Sequence, residues 1–350
     1  MKVFKIILKV LVSLVLIVLV LVGAFLIYAA ITTLHPEDKE DMTLSGEASS
    51  ELKLGDTVKI MSWNVGYGSL GDNEDYFLDG GKNVNAQDKD RVEANLKDIT
   101  SKINEINPDL FMVQEVDIKS KRSCKINERE YFEEKLSLSK YVDSFAHNYK
   151  AGYVPYPFPT TIGHVEAGIM TFSKYDVTKS TRIQLPIAFS WPISMVNLKR
   201  CLLVDRVKIK DSDKELVIVN LHLEAYDDGE GKVKQTNMLK EVLNEEYEKG
   251  NYVIAGGDFN QTFSNIDQSK YPIYESSEWV PGKIDATEFE NFNLVMDTTN
   301  PTCRLLNKPY KDADKDTFQY YMIDGFMVSK NITINSLETK NFFAGQSKGS

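Results

Sequence analysis

Three hydrophobic rhythms run along this chain. The first is unbroken. Val10 to Leu34 is 25 residues without a charge, nearly all Leu, Val, Ile, Ala or Phe. The second spaces apolar residues by three and four, which predicts amphipathic helices. It covers Arg91 to Ile106 (Val92, Leu96, Ile99, Ile103, Ile106) and Lys232 to Lys249 (Val233, Met238, Leu239, Val242, Leu243). Asn107-Pro108-Asp109 ends the first of these, since a residue before proline leaves the helical region. Glu130 to Leu138 reads as a further helix. The third rhythm is short apolar or alternating runs bounded by turn residues, which predict strands. These are Val58–Asn64, Leu110–Asp117, the end of Ile162–Tyr175, Cys201–Ile209, Glu215–Leu223, Val253–Asp258 and Tyr320–Ser329. Cys201–Ile209 and Glu215–Leu223 make a hairpin around Lys210–Lys214.

The apolar run sets the organisation. As a helix it is roughly 37 Å long, enough to cross a bilayer with some tilt. A cleaved signal peptide would have an apolar region of about 7–15 residues followed by a small-residue cleavage site. This run is longer, and its cleavage site is poor, so an uncleaved anchor is expected. Lys2, Lys5 and Lys9 precede it and an acidic loop follows. The positive-inside rule then leaves the N-terminus in the cytoplasm and the remainder outside, at the cell membrane. Residues 1–34 form the stub and anchor on this reading. Residues 35–56, polar, acidic and small, form a stalk, and 57–350 form one domain without internal repeats.

Composition adds two constraints. Without those three lysines the chain holds 38 Lys and Arg against 51 Asp and Glu, a net charge of −13. That repels polyanions and anionic lipid at long range. Three scattered cysteines, Cys124, Cys201 and Cys303, give neither metal-ligand spacing nor a disulfide framework, although one bridge stays open.

Candidate chemistry sits where the apolar runs stop. Val253-Ile254-Ala255 leads into Gly256-Gly257-Asp258-Phe259-Asn260. Glycines there allow a tight turn or a close approach to a ligand. Asp258 and Asn260 project to one side if the chain stays extended. A plain β-turn uses the same residues. Leu110–Asp117 carries Glu115 near its end, where a buried carboxylate needs a partner or a metal. Asn220 and His222 share one face of their strand, and Leu221 and Leu223 the other. Val58–Asn64 ends at Asn64 before a glycine-rich loop. Asp324 stands at the centre of the last strand. Individually each has a bland reading: a salt bridge for Glu115, a satisfied core histidine for His222, a turn or bulge residue for Asp324.

Together the ordered set Trp63-Asn64, Gln114-Glu115, Asn220-Leu221-His222-Leu223, Gly257-Asp258-Phe259-Asn260 and Ile323-Asp324 resembles the endonuclease/exonuclease/phosphatase superfamily. The resemblance runs from about Val58 to the C-terminus. It implies an α+β fold, a four-layer α/β/β/α sandwich of two packed mixed β-sheets flanked by helices. It implies a metal-dependent phosphoesterase in which Glu115 is the principal ligand of Mg²⁺ (Mn²⁺ is possible), because the donors are all oxygen. Asn64 would steady that carboxylate or hold a second ion. Asp258 would orient or deprotonate water, Asn260 would fix water and phosphate oxygen, and His222 would donate to a phosphate oxygen. Asp324 would orient the phosphate, and Glu166 and His164 would be substrate-binding.

The resemblance also carries a departure. The family closes on a Ser-Asp-His run, whereas this sequence stops at Gly345–Ser350. The expectation is a chain short of the last strand of one sheet and catalytically crippled as it stands. The substrate expected is a phosphodiester: nucleic acid, nucleotide or phospholipid headgroup. The membrane is engaged through residues 10–34, and no protein partner is evident. A surface domain that keeps the fold and only binds is the second reading. Val154-Pro155-Tyr156-Pro157-Phe158-Pro159 touches membrane or substrate, or is rigid packing.

Overall fold

A computed structural model describes residues 2–136, 140–227, 229–274, 277, 279–311 and 313–342. The last two residues of the helix expected to end at Leu138, and the chain end at Gly345–Ser350, lie outside these residues. In chain order the helices are α1 (Lys2–Thr32), α2 (Lys89–Ile106), α3 (Glu128–Leu136) and α4 (Glu230–Glu248). The strands begin with β1 (Lys39–Asp41), β2 (Leu44–Gly46), β3 (Ile60–Asn64) and β4 (Leu110–Asp117). Next come β5 (Val142–Val154), β6 (Gly163–Ser173), β7 (Val177–Gln184), β8 (Cys201–Lys208), β9 (Glu215–His222) and β10 (Tyr252–Asp258). β11 (Gln261–Phe263) with β12 (Gly282–Ile284), and β14 (Cys303–Arg304) with β15 (Tyr320–Tyr321), are small ribbons. β13 (Phe292–Val295) and β16 (Asp324–Ser329) complete the set.

Two mixed sheets carry the fold. One has the order β1-β7-β8-β9-β10-β16-β13, the other β2-β5-β6-β4-β3. Strand periodicity sorts the side chains into layers. Phe111, Val113, Met170 and Phe172 pack outward against Val92, Leu96, Ile99 and Ile103 of α2. Val217, Val219, Leu221, Val253 and Ala255 pack outward against Leu239 and Leu243 of α4. Leu110, Met112, Leu216, Ile218, Ile254 and Val328 fill the space between the sheets. The order is therefore helix, sheet, sheet, helix, as expected. Cys124, Cys201 and Cys303 are all free.

The acidic segment departs from expectation. Residues 39–46 are not a free stalk. β1 pairs antiparallel with β7 (Lys39 opposite Ile183) and β2 with β5 (Leu44 opposite Ser144). Ser50 and Leu52 bridge to Tyr175 and Ile209. The segment closes one edge of both sheets. Short, charged strands suit an edge, where both faces meet water and further pairing is discouraged. That is why the composition reads as a stalk.

The inter-sheet layer also buries Asp205 of β8. Its carboxylate accepts from Ser144 Oγ at 2.8 Å, and burial pushes it from its ordinary 3.8 up to about 6. Above pH 6 the group is charged in both states, and only the folded state keeps that charge out of water. As pH falls the folded state protonates first, so this term adds stability between about 6 and 3.8. The interval corresponds to roughly 3 kcal/mol at most. Asp205→Asn removes the charge and keeps the shape, and the hydroxyls of Ser144, Ser180 and Thr171 can turn to accept from the new amide. Thermal melts should show the variant several degrees above the parent at pH 7.5, with the gap closing by pH 4.5. A gap that does not depend on pH would contradict this.

Candidate active site

The site is a row across neighbouring strand ends. In the larger sheet Asp258, the last residue of β10, lies opposite His222 of β9 on one side and Asp324 of β16 on the other. In the facing sheet Asn64, the last residue of β3, pairs with Gln114 of β4. Asn64, His222, Asp258 and Asp324 open into one cleft of about 1990 Å³ that runs on between the sheets along β3 and β16.

Glu115 reaches the cleft through an irregularity. Along β4, Leu110, Met112 and Gln114 face the other sheet, and Phe111 and Val113 face the helices. Residue 115 should continue the helix-facing set. Instead Val116 does so, because Gln114 and Glu115 together oppose the single residue Ile169 on β6. Glu115 takes φ 58°, a left-handed conformation that is rare for a residue with a side chain. Such a bulge re-aims a side chain, and strain of this kind gathers at functional sites. Here it turns a carboxylate from the core into the cleft.

Hydrogen bonds join the two rows. Asn64 Nδ2 donates to Glu115 Oε1 at 2.9 Å and to Asp258 Oδ2 at 3.0 Å, and its Oδ1 accepts from Gly66 N at 3.0 Å. Asn64 thus positions both acids. Asp258 Oδ1 accepts from Asn260 N at 2.9 Å, and Asn260 Nδ2 donates to the Leu223 carbonyl at 2.9 Å. His222 Nε2 lies 3.7 Å from Asp258 Oδ2 and 4.0 Å from Glu115 Oε1. Burial, helped by Arg200 and Arg122, holds the imidazole well below its ordinary pKa, so these are approaches of a neutral ring and not ion pairs. Burial pushes the Asp258 carboxyl up to about 6. Burial, with Asp258 beside it, holds Asp324 well above the ordinary carboxylate range.

Two sequence signals acquire other roles. Asn220, on the face of His222, does not line the cleft. Its Oδ1 accepts from Gln114 Nε2 at 2.7 Å and its Nδ2 donates to the Met170 carbonyl at 2.8 Å, a buried clasp between the sheets. The glycine pair answers close packing more than ligand approach. Gly257 has φ 146°, and a Cβ there would stand 2.0 Å from the Leu221 carbonyl oxygen. A Cβ on Gly256 would meet Met112 Cε and Phe326 at 2.7 Å.

Two candidates stand elsewhere. Glu166 Oε1 is engaged by Lys150 Nζ at 3.0 Å and by His147 Nε2 at 3.2 Å. Its neighbour Ala167 lines the cleft, and alternation turns Glu166 to the other face of β6. His164, also on β6, is not among the residues of the cleft wall. Asp324 is displaced too: it heads β16 and is not mid-strand, because Tyr320–Tyr321 forms the separate ribbon strand β15.

Several wall residues carry no sequence signal. Arg122 is held by Asp117 through Nε and Nη2, at 3.1 and 2.8 Å, and lies over the Tyr67 ring at 3.9 Å. Arg200 donates to Glu224 at 3.2 Å and to the His222 carbonyl at 3.1 Å, fixing the strand that bears the histidine. Asp79 accepts from Leu306 N and Tyr226 Oη, and burial raises its carboxyl.

Residues 61–311 match the endonuclease/exonuclease/phosphatase family. The chain belongs to that family. Its members are hydrolases of phosphoester bonds and are generally dependent on divalent metal. A comparison with curated proteins finds no match in sequence. Similar solved structures include the human Nocturnin catalytic domain with bound sulfate, at 16% identity over 83% of this chain and 85% of that one, TM-score 0.44. A family member from Leptotrichia buccalis has 13% identity over 78% and 88%, TM-score 0.45. A humanized D. rerio TDP2 has 15% over 79% and 85%, TM-score 0.45.

The donor set fits an ion of the magnesium type in a specific way. Among the described residues no three His, Cys, Asp or Glu side chains are preassembled around one point. Glu115 instead presents one partly exposed carboxylate, with its Oε1 steadied by Asn64. Magnesium binds in this manner, through one or two carboxylates with waters and substrate oxygens completing the shell.

Proposed function

We propose that the chain is a divalent-metal-dependent phosphodiesterase that hydrolyses its substrate by direct attack of water. The observation that carries the reading is the convergence of Glu115, His222 and Asp258 on the cleft, linked through Asn64 across two sheets. Glu115 would hold Mg²⁺, or Mn²⁺ in its place, and the bound ion would polarise a phosphate oxygen. Asp258 takes a proton from the attacking water, and Asn260, its amide nitrogen tied to Leu223, offers its carbonyl oxygen to that water. Neutral His222 donates to a non-bridging oxygen as charge builds there. Asp324, beside Asp258 in register, helps to orient the reacting phosphate. A new P–O bond forms from water and the ester P–O bond breaks; the departing oxygen takes its proton from solvent water to leave as an alcohol, and the proton held by Asp258 returns to solvent.

The test uses the full chain in detergent or nanodiscs with DNA, RNA, sphingomyelin and bis-p-nitrophenyl phosphate as substrates. At least one should be hydrolysed, chelation with EDTA should abolish the reaction, and Mg²⁺ or Mn²⁺ should restore it. Turnover that survives EDTA would refute the metal, and no turnover on any substrate would favour the binding-only reading.

The proposed location is the cell membrane, with the N-terminus cytoplasmic and the domain outside. Among the described residues one helix, Lys2–Thr32, is long and apolar enough to cross a membrane. Protease added to intact cells should remove the domain and leave the N-terminal stub. A domain protected until the cells are lysed would reverse the orientation.

A further inference from the structure

The anchor does not leave the domain on a tether. Leu34 N donates to the Lys150 carbonyl at 3.0 Å, and Gly152 N donates to Thr32 Oγ1 at 3.2 Å. Ala29 and Thr33 are buried against the domain. A Cβ on Gly152 would strike Thr32 and Tyr28, so the helix end and β5 meet at backbone distance. The chain then passes straight into β1 and β2, which are locked into the sheets. A helix of 31 residues is about 46 Å long, and the hydrocarbon core takes about 30 Å. With Lys9 at the far boundary, Val10 to Ala29 fills that core. Ala29 to Thr33, where the helix joins the domain, then falls at the near headgroup level.

Two loops flank this junction. One follows β5 through Val154–Pro159, and the other, through Pro186–Asn197, ends in a 3-10 turn, Ile193–Val196, that touches α1. Both carry large apolar side chains that stay largely exposed, Tyr156 resting one side of its ring on Phe77. Phe158 is 90% exposed, Trp191 67%, Tyr156 58% and Ile193 55%. An exposed aromatic cluster is costly in water, and aromatic rings favour the headgroup level of a bilayer. The same two loops wall the cleft through Pro155, Tyr156, Phe189, Ile193 and Val196. The cleft mouth therefore lies on the side of the domain from which α1 emerges.

We propose that Phe158, Trp191, Tyr156 and Ile193 form a membrane-seating rim that sets the cleft mouth against the bilayer, so that the phosphodiester it takes is the headgroup of a membrane lipid. The rim works with α1: the helix fixes position, and the rim fixes tilt. Charge points the same way. Arg122, Arg200 and Arg304 in the wall are already engaged by Asp117, Glu224 and backbone carbonyls, and the domain is acidic, which suits a single headgroup better than a polyanion. The substrate half of this inference rests on the phosphodiesterase reading; the seating half does not.

The two halves separate in one experiment. The full chain is placed in phosphatidylcholine nanodiscs with acyl chains brominated near the headgroup. Tryptophan fluorescence should be quenched, and Trp191→Phe should remove the quenched component while Trp63 and Trp279 remain. Equal quenching in parent and variant would overturn the seating. The double variant Phe158→Ser with Trp191→Ser, neither residue lining the cleft, is then compared on nanodisc lipid and on soluble bis-p-nitrophenyl phosphate. Headgroup release should fall at least tenfold, with soluble turnover within twofold. Equal change on both substrates, or cleavage of nucleic acid but not lipid, would overturn the lipid assignment. A chain inactive on everything yet quenched at Trp191 would refute the phosphodiesterase reading and leave the rim standing.

Discussion

Asp258→Asn is expected to lower kcat by about 10²–10⁴ on any phosphodiester the protein cleaves, with no loss of thermal stability. The rate estimate follows from the role of a positioned acid or base in proton transfer. Asp258 is the hub of the row, paired in register with His222 and Asp324 and hydrogen-bonded to Asn64 and Asn260. The amide has the same outline and can still accept from Asn260 N, but it cannot take a proton from water. Stability moves the other way. Burial raises the Asp258 carboxyl to about 6, so at neutral pH the folded state carries a charge that its surroundings disfavour. Removing that charge should leave the melting temperature equal or higher at pH 7.5. The measurement is kcat with a parallel melt. A variant that keeps its turnover would move the proton transfer to another group. One that melts well below the parent would mean the carboxylate is structural.

The sequence made the cleft-facing ends of the strands legible because each one breaks a rule at the end of a simple pattern. An apolar strand that finishes in Asn64, Glu115, His222 or Asp258 is visible without a structure. What the pattern could not show is which face a polar residue meets after an irregularity. Simple alternation puts Glu115 with Phe111 and Val113, against the helices. The bulge at Gln114–Glu115 reverses that, and nothing in the local residues announces it. Asn220 failed in the opposite sense. Its alternation with His222 was read correctly, yet the partner waiting for it is Gln114, from a strand more than a hundred residues away. Burial with a partner and exposure to substrate look identical in one strand. The same limit hides Arg200, whose place is fixed by Glu224 and the His222 carbonyl on another strand, and Arg122, whose partner Asp117 is near in sequence but reads there only as a strand end.

The acidic segment shows how composition misleads about anchoring. Charged, small residues suit a solvated linker and an edge strand equally well, because both have little to bury. Only the register of β1 on β7 and of β2 on β5 distinguishes them. The consequence reaches function. On the proposed membrane location, a tethered domain would sample all orientations at the bilayer, whereas this one would take its orientation from α1. β5 was not anticipated at all, since buried Asp143, Ser144 and Asn148 interrupt its apolar run. It is nevertheless the strand that receives the end of α1 and, through β2, half of the edge segment, the other half pairing with β7.

Glu115→Gln should reduce metal-dependent turnover by about 10³ or more and weaken Mg²⁺ binding at least a hundredfold, while the fold persists. Removing even an outer partner of a metal typically costs 10–100-fold in affinity, and a direct carboxylate ligand contributes more. Loss of charge stabilisation at the phosphate then compounds the effect on rate. The backbone argument is separate. Glu115 holds a left-handed φ of 58° within the bulge, and glutamine meets the same torsional cost there, so the substitution changes charge and little else. Its carboxamide oxygen can still accept from Asn64 Nδ2, which leaves Asp258 in place. Calorimetric titration with Mg²⁺, read beside turnover across a range of metal concentrations, checks the assignment. The decisive pattern is a variant whose residual activity no longer saturates with metal in the range where the parent does. If saturation and turnover match the parent, Glu115 holds no metal, and the bulge that delivers it to the cleft serves packing alone.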